Sequence, residues 1–250
     1  RQFPTFSFPP PPIAISGDEL YRVAPALGIC EVVVYTPRHE GTLTDCSVEE
    51  IYKLLLVWSD RFKELGRKKE IKYVFIFENK GEEIGVTLSH PHGQIYAFSY
   101  IPPLIKRELN SCREFYRKER KCLLCSILER ERELKSRLVC ENKHFTAFIP
   151  FYARWPYELH LLSRRHLGSL PEMKEAEYRA LAELLKEVLL RYDLLWQKSM
   201  PYMMVMHQNP TDQKSYPYYH FHIEFYPPLR TSDKLKYRAG CESGAGTFIN

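Results

Sequence analysis

Residues 77–100 read FENKGEEIGVTLSHPHGQIYAFSY. Tyr73 to Phe77 has the pattern of a strand, a polar loop holding Gly81 and Gly85 follows, and a second strand is expected to open at His90-Pro91-His92-Gly93-Gln94. Side chains of an extended chain alternate between faces, so His90, His92 and Gln94 project to one side and Pro91 and Gly93 to the other. Burying two imidazoles and an amide on one face costs free energy unless partners satisfy them. A catalytic or metal-binding role accounts for them more simply than a half-exposed strand carrying two histidines by accident. Pro91 lacks an N–H and Gly93 lacks a side chain, which suits a sheet edge with a ligand such as a phosphate lying close against it.

With 250 residues, 44% of them hydrophobic, the chain is long enough to bury a real core in one or two domains. A net charge of +5 is mild and suits small anionic substrates; no basic tract is interleaved with aromatics, so nucleic acid is not an expected partner. No apolar run approaches about 18 residues, so no membrane span is expected. The seven cysteines are odd in number and irregularly spaced, with a single CxxC pair at Cys122 and Cys125. That favours a reducing, cytoplasmic compartment and a metal or redox motif over a disulfide framework. No signal peptide is visible, and because the chain opens at Arg1, an N-terminal piece is expected to precede it.

The proline-rich start, Arg1 to Ala14, reads as an extended entry segment. Glu31 to Tyr35 is a strand pattern, turned by Pro37-Arg38-His39. Ser47 with Glu50 forms a capping box ahead of Ile51, Leu54, Leu55, Trp58, Phe62 and Leu65 at helical spacing. Leu104 to Glu133 is charge-dense and helical, broken around Lys121 to Cys125. Strands follow at about Phe145 to Pro150 and Glu158 to Leu162, then the basic turn Ser163-Arg164-Arg165-His166. A helix capped by Ser169 with Glu172 is expected to run to about Trp196, followed by strands at Tyr202 to His207 and Tyr219 to Tyr226. The two halves repeat one order: strand, basic turn with a histidine, capped helix, strand, and a strand bearing HxH. The expected fold class is α+β, two tandem halves sharing an antiparallel sheet or half-barrel with flanking helices. Residues 1–103 form the N-terminal catalytic half and residues 104–250 the C-terminal half.

A CxxC pair lets two sulfurs reach one ion, and thiolates with imidazoles are what zinc prefers. Within the repeat, the second half offers Cys122, Cys125, His166 and His220 as a tetrahedral zinc site, with His160 the alternative for the third ligand. The first half offers His39 and His90.

FENKG followed by GVTLSHPHGQIYAF resembles the active-site segment of galactose-1-phosphate uridylyltransferases, a branch of the histidine-triad superfamily. The similarity continues through PRHEGTL, PFYARWPYE, HFHIEFYPPLR and AGCESGAGTFIN, covering nearly the whole chain. The resemblance implies a histidine-triad-like fold in each half and a double displacement in which His92 attacks the α-phosphorus of UDP-glucose. Galactose 1-phosphate then takes the uridylyl group from the histidine. Gln94 stands where the triad's third histidine would be; an amide donates a hydrogen bond to a phosphoryl oxygen without acid catalysis, which marks transferase over hydrolase. Asn79, Gly85 and Thr87 match phosphate-contacting positions, and Phe3 matches an aromatic near the uracil. Lys236, Tyr237 and Glu242 match residues that reach substrate, often across a dimer interface, so a homodimer is expected. Many members carry a CxxC upstream of the point where this chain starts; with such a piece His39 and His90 are two ligands of a first zinc site, and without it that site is absent and the two histidines are simply structural. Some bind a further ion at positions matching Glu108, His207, His222 and Glu224, the last departing from the family's histidine. With His220 belonging to the cysteine set, zinc through the cysteines is the favoured reading. The rivals are a related phosphorylase acting on an ADP-sugar through the same histidine, and an inactive zinc-stabilised nucleotide-binding protein.

Overall fold

The computed structural model describes residues 5–88 and 90–248; Phe3, expected near the uracil, lies outside the described residues. The first half supplies strand β1 (Gly28–Val34), helix α1 (Val48–Gly66), and strands β2 (Tyr73–Lys80) and β3 (His92–Phe98). Helices α2 (Pro103–Glu119) and α3 (Leu123–Leu134) follow, then strands β4 (Leu138–Glu141), β5 (Phe145–Phe148) and β6 (Leu159–Ser163). Helix α4 (Glu175–Leu195) and strands β7 (Tyr202–His207) and β8 (His222–Tyr226) complete the chain's regular elements. The strands form one eight-stranded antiparallel sheet in the order β1-β3-β2-β7-β8-β6-β5-β4.

Its first six strands form two matching series that meet between the third and fourth places. β1, β3 and β2 are answered by β6, β8 and β7, and the two series meet where β2 pairs with β7, Phe77 opposite Val205 and Lys80 opposite Tyr202. The repeat read along the chain is thus an approximate twofold axis through the sheet, with the β4–β5 hairpin added at the far edge of the second half.

Alternation decides what lies on each face. Val74 and Ile76 of β2, Ile95 and Ala97 of β3, Leu161 of β6, Met204 and Met206 of β7, and Ile223 and Phe225 of β8 are fully buried against α1 and α4. Tyr178 of α4 ties those two helices together, its hydroxyl 2.7 Å from Ser59 Oγ and 2.6 Å from the Leu170 carbonyl. On the opposite face α2 covers Tyr73 and Tyr219 through Ile105, Leu109 and Cys112, and α3 covers Phe148 and Leu162 through Leu124 and Leu128. His92, Gln94, His207, His222 and Glu224 share this second face, because they fall on the alternate positions of their strands.

The boundaries differ from the sequence reading in two informative places. β3 opens at His92 and not at His90: Pro91 has no N–H for a ladder, and the His90 carbonyl is turned to the His92 ring. Ser169 and Glu172 bracket a single 3₁₀ turn (Leu170–Glu172), and α4 starts only at Glu175, where Glu177 Oε2 accepts the Lys174 N–H at 2.8 Å. The Ser47–Glu50 capping box of α1 is present as read, Glu50 Oε2 accepting the Ser47 N–H at 2.7 Å.

Leu185 is fully buried beneath the sheet, whereas Leu194 on the same helix is exposed. Leu185→Ala is expected to cost about 3 kcal/mol, with partial collapse of the site setting the final value, and Leu194→Ala less than about 0.5 kcal/mol. Urea midpoints of the two variants check this.

Candidate active site and metal centres

The cleft that holds the histidine segment lies where β2 leaves the sheet and β3 enters it. Its volume is about 260 Å³, and among its walls are Asn79, Lys80, Thr87, Leu88, His90, His92, Thr42 and Ser199. Asn79, Thr87, His90 and His92 are therefore brought together as the sequence suggested. Gly85 shapes the loop between the strands: its φ of 83° lies in the left-handed region where a side chain is strained. Gln94 is half-buried on the His92 face, two residues along β3. Continuing the register in which Phe77 faces Gln94 sets Asn79 beside His92.

The His92 ring is held in one tautomer. Its Nδ1 lies 2.8 Å from the His90 carbonyl, and a carbonyl only accepts, so Nδ1 carries the proton and Nε2 is left with a bare lone pair. A neutral imidazole with one nitrogen anchored and the other unprotonated is a nucleophile ready for a phosphorus centre.

Under the strand sits a group that the sequence reading passed over. Glu78 is buried, its Oε2 3.0 Å from the Tyr35 hydroxyl and its Oε1 2.9 Å from that of Tyr202. Burial pushes its carboxyl up to about 7, against the pull of the two tyrosine hydrogen bonds and Lys80. The signal was present in β2: Val74, Ile76, Glu78 and Lys80 alternate onto the core face, so both charged residues had to be buried. Lys80 is neutralised there by Asp193 at 3.1 Å.

Lys236, Tyr237 and Glu242 are not among the residues lining the cleft. Lys236 Nζ contacts Glu242 Oε1 at 2.7 Å, a hydrogen bond that draws the Glu242 carboxyl down to about 2, while Tyr237 is exposed. Their segment folds back over the second half, Arg238 standing 5.0 Å above the Trp155 ring.

Among the described residues, two groups of metal-ligating side chains form, both in the second half. Cys122, Cys125, His166 and His220 place one ligand atom each within 4.8 Å of one another, with Cys125 Sγ 3.4 Å from His166 Nδ1 and 3.3 Å from His220 Nδ1. These separations suit the edges of a tetrahedron around an ion bound at about 2.0–2.3 Å. The protonation pattern suits it too. Ser163 donates its single hydroxyl hydrogen to the Arg165 carbonyl at 2.9 Å, so it must accept from His220 Nε2 at 2.8 Å. His220 therefore turns an unprotonated Nδ1 toward the sulfurs, the arrangement an outer partner gives a metal-binding histidine. Hydrogen bonding from Cys125, and then from His166, draws the Cys122 thiol far down toward thiolate. His160, the alternative third ligand, is turned elsewhere: its Nε2 lies 3.0 Å from Glu158 and 3.3 Å from Glu224.

The second group is Glu108, His207 and His222. Glu108 bridges His207 Nδ1 at 2.8 Å and His222 Nε2 at 3.1 Å, and Glu224 stands 3.4 Å from His222 Nε2. Burial alone would raise the Glu108 carboxyl, but the two histidines outweigh it and hold it at about 2. In the first half, His39 and His90 meet with ring centroids 5.3 Å apart, matching the 5.1 Å of His166 and His220 across the axis.

Comparison with known proteins bears on the whole arrangement. Residues 2–102 match the family model described as galactose-1-phosphate uridyl transferase, N-terminal domain, and residues 108–240 match its C-terminal domain. The chain belongs to the galactose-1-phosphate uridylyltransferase family. The Thermotoga maritima galactose-1-phosphate uridylyltransferase is 42% identical over 251 residues, covering 100% of this chain and 78% of that one. A solved uridylyltransferase structure superposes with a TM-score of 0.93 at 39% identity, covering 100% of this chain and 79% of the other. An ADP-glucose phosphorylase from Arabidopsis thaliana with bound ADP-glucose follows at a TM-score of 0.81 and 26% identity, covering 90% of this chain and 70% of that one. Among the described residues, no helix is long and apolar enough to cross a membrane.

Two measurements test the site. Purified protein is expected to carry a metal ion that Cys125→Ser releases, with a fall in Tm of roughly 10 °C or more; elemental analysis and calorimetry read both. For Glu78, the folded carboxyl is raised from 4.5 to about 7, so its contribution is fully present below pH 4.5 and is lost as pH rises toward 7. Relative to Glu78→Gln, the wild type is expected to lose on the order of 3 kcal/mol across that window and nothing further above it. Denaturant titrations at pH 4.5, 6, 7 and 8 give the slope.

Proposed function

We propose that this chain catalyses uridylyl transfer from UDP-glucose to galactose 1-phosphate by way of a uridylyl-histidine at His92. The observation that carries the reading is the 2.8 Å hydrogen bond from His92 Nδ1–H to the His90 carbonyl. In the first step Nε2 forms a bond to the α-phosphorus, and the bond from that phosphorus to the glucose 1-phosphate oxygen breaks. Glucose 1-phosphate leaves as an anion and takes no proton; Nδ1 keeps its own. In the second step a phosphate oxygen of galactose 1-phosphate attacks the same phosphorus and His92 leaves as neutral imidazole. Gln94, Asn79 and Thr87 are assigned to donate hydrogen bonds to phosphoryl oxygens, which stabilises the charge that develops there. The turn at Gly85 brings backbone close to the diphosphate.

Zinc is the ion assigned to Cys122, Cys125, His166 and His220, because two thiolates and two imidazoles make a closed tetrahedral set. Bound there, it would cross-link the start of α3 to the segments flanking β6 and β8 as a structural ion. His39 and His90, which meet in the first half as His166 and His220 do in the second, are assigned as two ligands of an equivalent site. The division at residues 103 and 104 is assigned as the boundary between a catalytic and a non-catalytic half. Because Lys236, Tyr237 and Glu242 lie away from the His92 cleft of their own chain, the reading includes a homodimer in which they serve the partner's substrate. The free cysteines suit a cytoplasmic protein.

A phosphorylase reading is favoured by the likeness to the Arabidopsis ADP-glucose phosphorylase; it keeps His92 as nucleophile and changes the base and the acceptor. Intact mass spectrometry separates the two. Mixing with UDP-glucose is expected to add one uridylyl mass, which galactose 1-phosphate removes. His92→Ala is expected to form no adduct and to lose at least about a thousandfold in turnover. An adduct formed only with ADP-glucose and cleared by inorganic phosphate would replace the uridylyltransferase with the phosphorylase.

A further inference from the structure

Tyr35 follows the last residue of β1, where Val34 pairs with His92 and Val33 with Gly93. Its backbone N–H continues the ladder to the Pro91 carbonyl at 3.0 Å. Its side chain passes beneath β3 on the core side, packed edge-on against the Trp58 ring at 5.7 Å. There the hydroxyl fills the space that a side chain at residue 93 would need: a Cβ built on Gly93 would stand 2.2 Å from Tyr35 Oη and 3.0 Å from its Cζ. The hydroxyl is not free to swing away, because Glu78 Oε2 accepts its hydrogen at 3.0 Å. Glu78 is itself held on its other oxygen by Tyr202, which comes from the second half. One residue therefore grips the nucleophile's strand at two points, by main chain at Pro91 and by side chain at Gly93, with His92 between them.

We propose that Tyr35, braced by Glu78 and Tyr202, is a positioning residue for His92, and that Gly93 lacks a side chain in order to admit the Tyr35 hydroxyl. This rests on the reading of His92 as the nucleophile. The geometry explains why a strut matters at this point. The His92 tautomer depends on a hydrogen bond to a carbonyl only two residues back, across a proline that gives the ladder no N–H. Nothing within β3 itself holds that turn, and a shift of the strand at Gly93 tilts the ring away from the His90 carbonyl. The brace also joins the halves, since the carboxylate on β2 is shared between a tyrosine of the first half and one of the second.

The test is a double-mutant cycle on Gly93→Ala and Tyr35→Phe with three readouts: thermal unfolding, the rate of uridylyl-enzyme formation, and the ¹⁵N signals of the His92 ring. With Tyr35 present, Gly93→Ala is expected to slow adduct formation at least about thirtyfold with KM within about twofold, and to mix the His92 tautomers. Tyr35→Phe alone is expected to slow adduct formation about tenfold and to admix the second His92 tautomer, and in that background Gly93→Ala is expected to cost less than about fivefold further with no additional change in the tautomer ratio. Equal losses in both backgrounds would overturn the proposal. So would a cycle in which only Tm is coupled while rate and tautomer do not move, which would make the contact mere packing. Should Gly93→Ala fail to fold, its folding in the Tyr35→Phe background and the His92 signals of that double variant still decide the matter. If the wild type forms no uridylyl adduct, the proposed function fails, while the tautomer readout continues to test whether Tyr35 positions His92.

Discussion

The antiparallel pairing of β2 with β7 is the constraint on which everything else depends. It joins two three-stranded units into one sheet, and because its axis relates the units, it places the two HxH segments at equivalent positions on one face. The same seam closes the core on the other face, where α1 and α4 pack against strands from both halves. Glu78 and Tyr202 meet beside it, so a polar contact within the core is also a contact between halves. Loss of this pairing would leave each unit with an unpaired inner strand and half a helical layer.

The axis also makes a direct comparison between the two histidines. His92 Nδ1 is bonded to the His90 carbonyl and His222 Nδ1 to the His220 carbonyl, each at 2.8 Å. The rings are prepared alike and differ in what meets Nε2. In the first half it opens to the cleft; in the second it meets Glu108 and Glu224, in a cavity that α2 and α3 line. An open ring nitrogen at one site and charge pairing at the other thus follow from a few side chains around a common backbone device. The two openings differ in their walls: the first-half cleft of about 260 Å³ presents His92, Asn79 and Thr87, whereas the second-half cavity of about 610 Å³ holds His222 among Glu108, His207 and Glu224.

Local patterns carried much of this into the sequence. Ser47 and Glu50 marked the start of α1, alternation marked β2 and β7, and the HPHGQ segment marked the cleft before any coordinates. The order of the repeat was also legible, because each half uses the same sequence of elements. The seam was not: nothing in Phe77 or Val205 names its partner, since pairing between strands so far apart is chosen by packing across the whole sheet. The short strand β4 went unread because four half-exposed residues, Leu138–Glu141, form no periodic run. Glu78 was legible in principle, but its partners Tyr35 and Tyr202 come from two other strands, and only the fold brings them within reach. Ser169 misled for a local reason: it opens a single 3₁₀ turn, and the N-cap of α4 is Lys174, five residues later.

A sheet that does not close on itself has two rims, and the rims here are unlike. One is β4, short and carried on a hairpin. The other is β1, seven residues long, with Val32 and Val34 exposed on the face beside Gln94 and His92. An open strand of this kind is a template for adding further strands. The entry segment crosses its beginning, where Ser7 bridges Leu27 and its carbonyl accepts the Gly28 N–H at 3.2 Å, and farther along Arg61 clamps Glu31 with two bonds of 2.8 and 2.6 Å. Polymerisation through this rim is thus stopped at one end by the chain itself and opposed midway by a buttressed charge. Among the described residues, what remains open is the stretch nearest His92, where any growth of the sheet would press on the cleft that His92 lines.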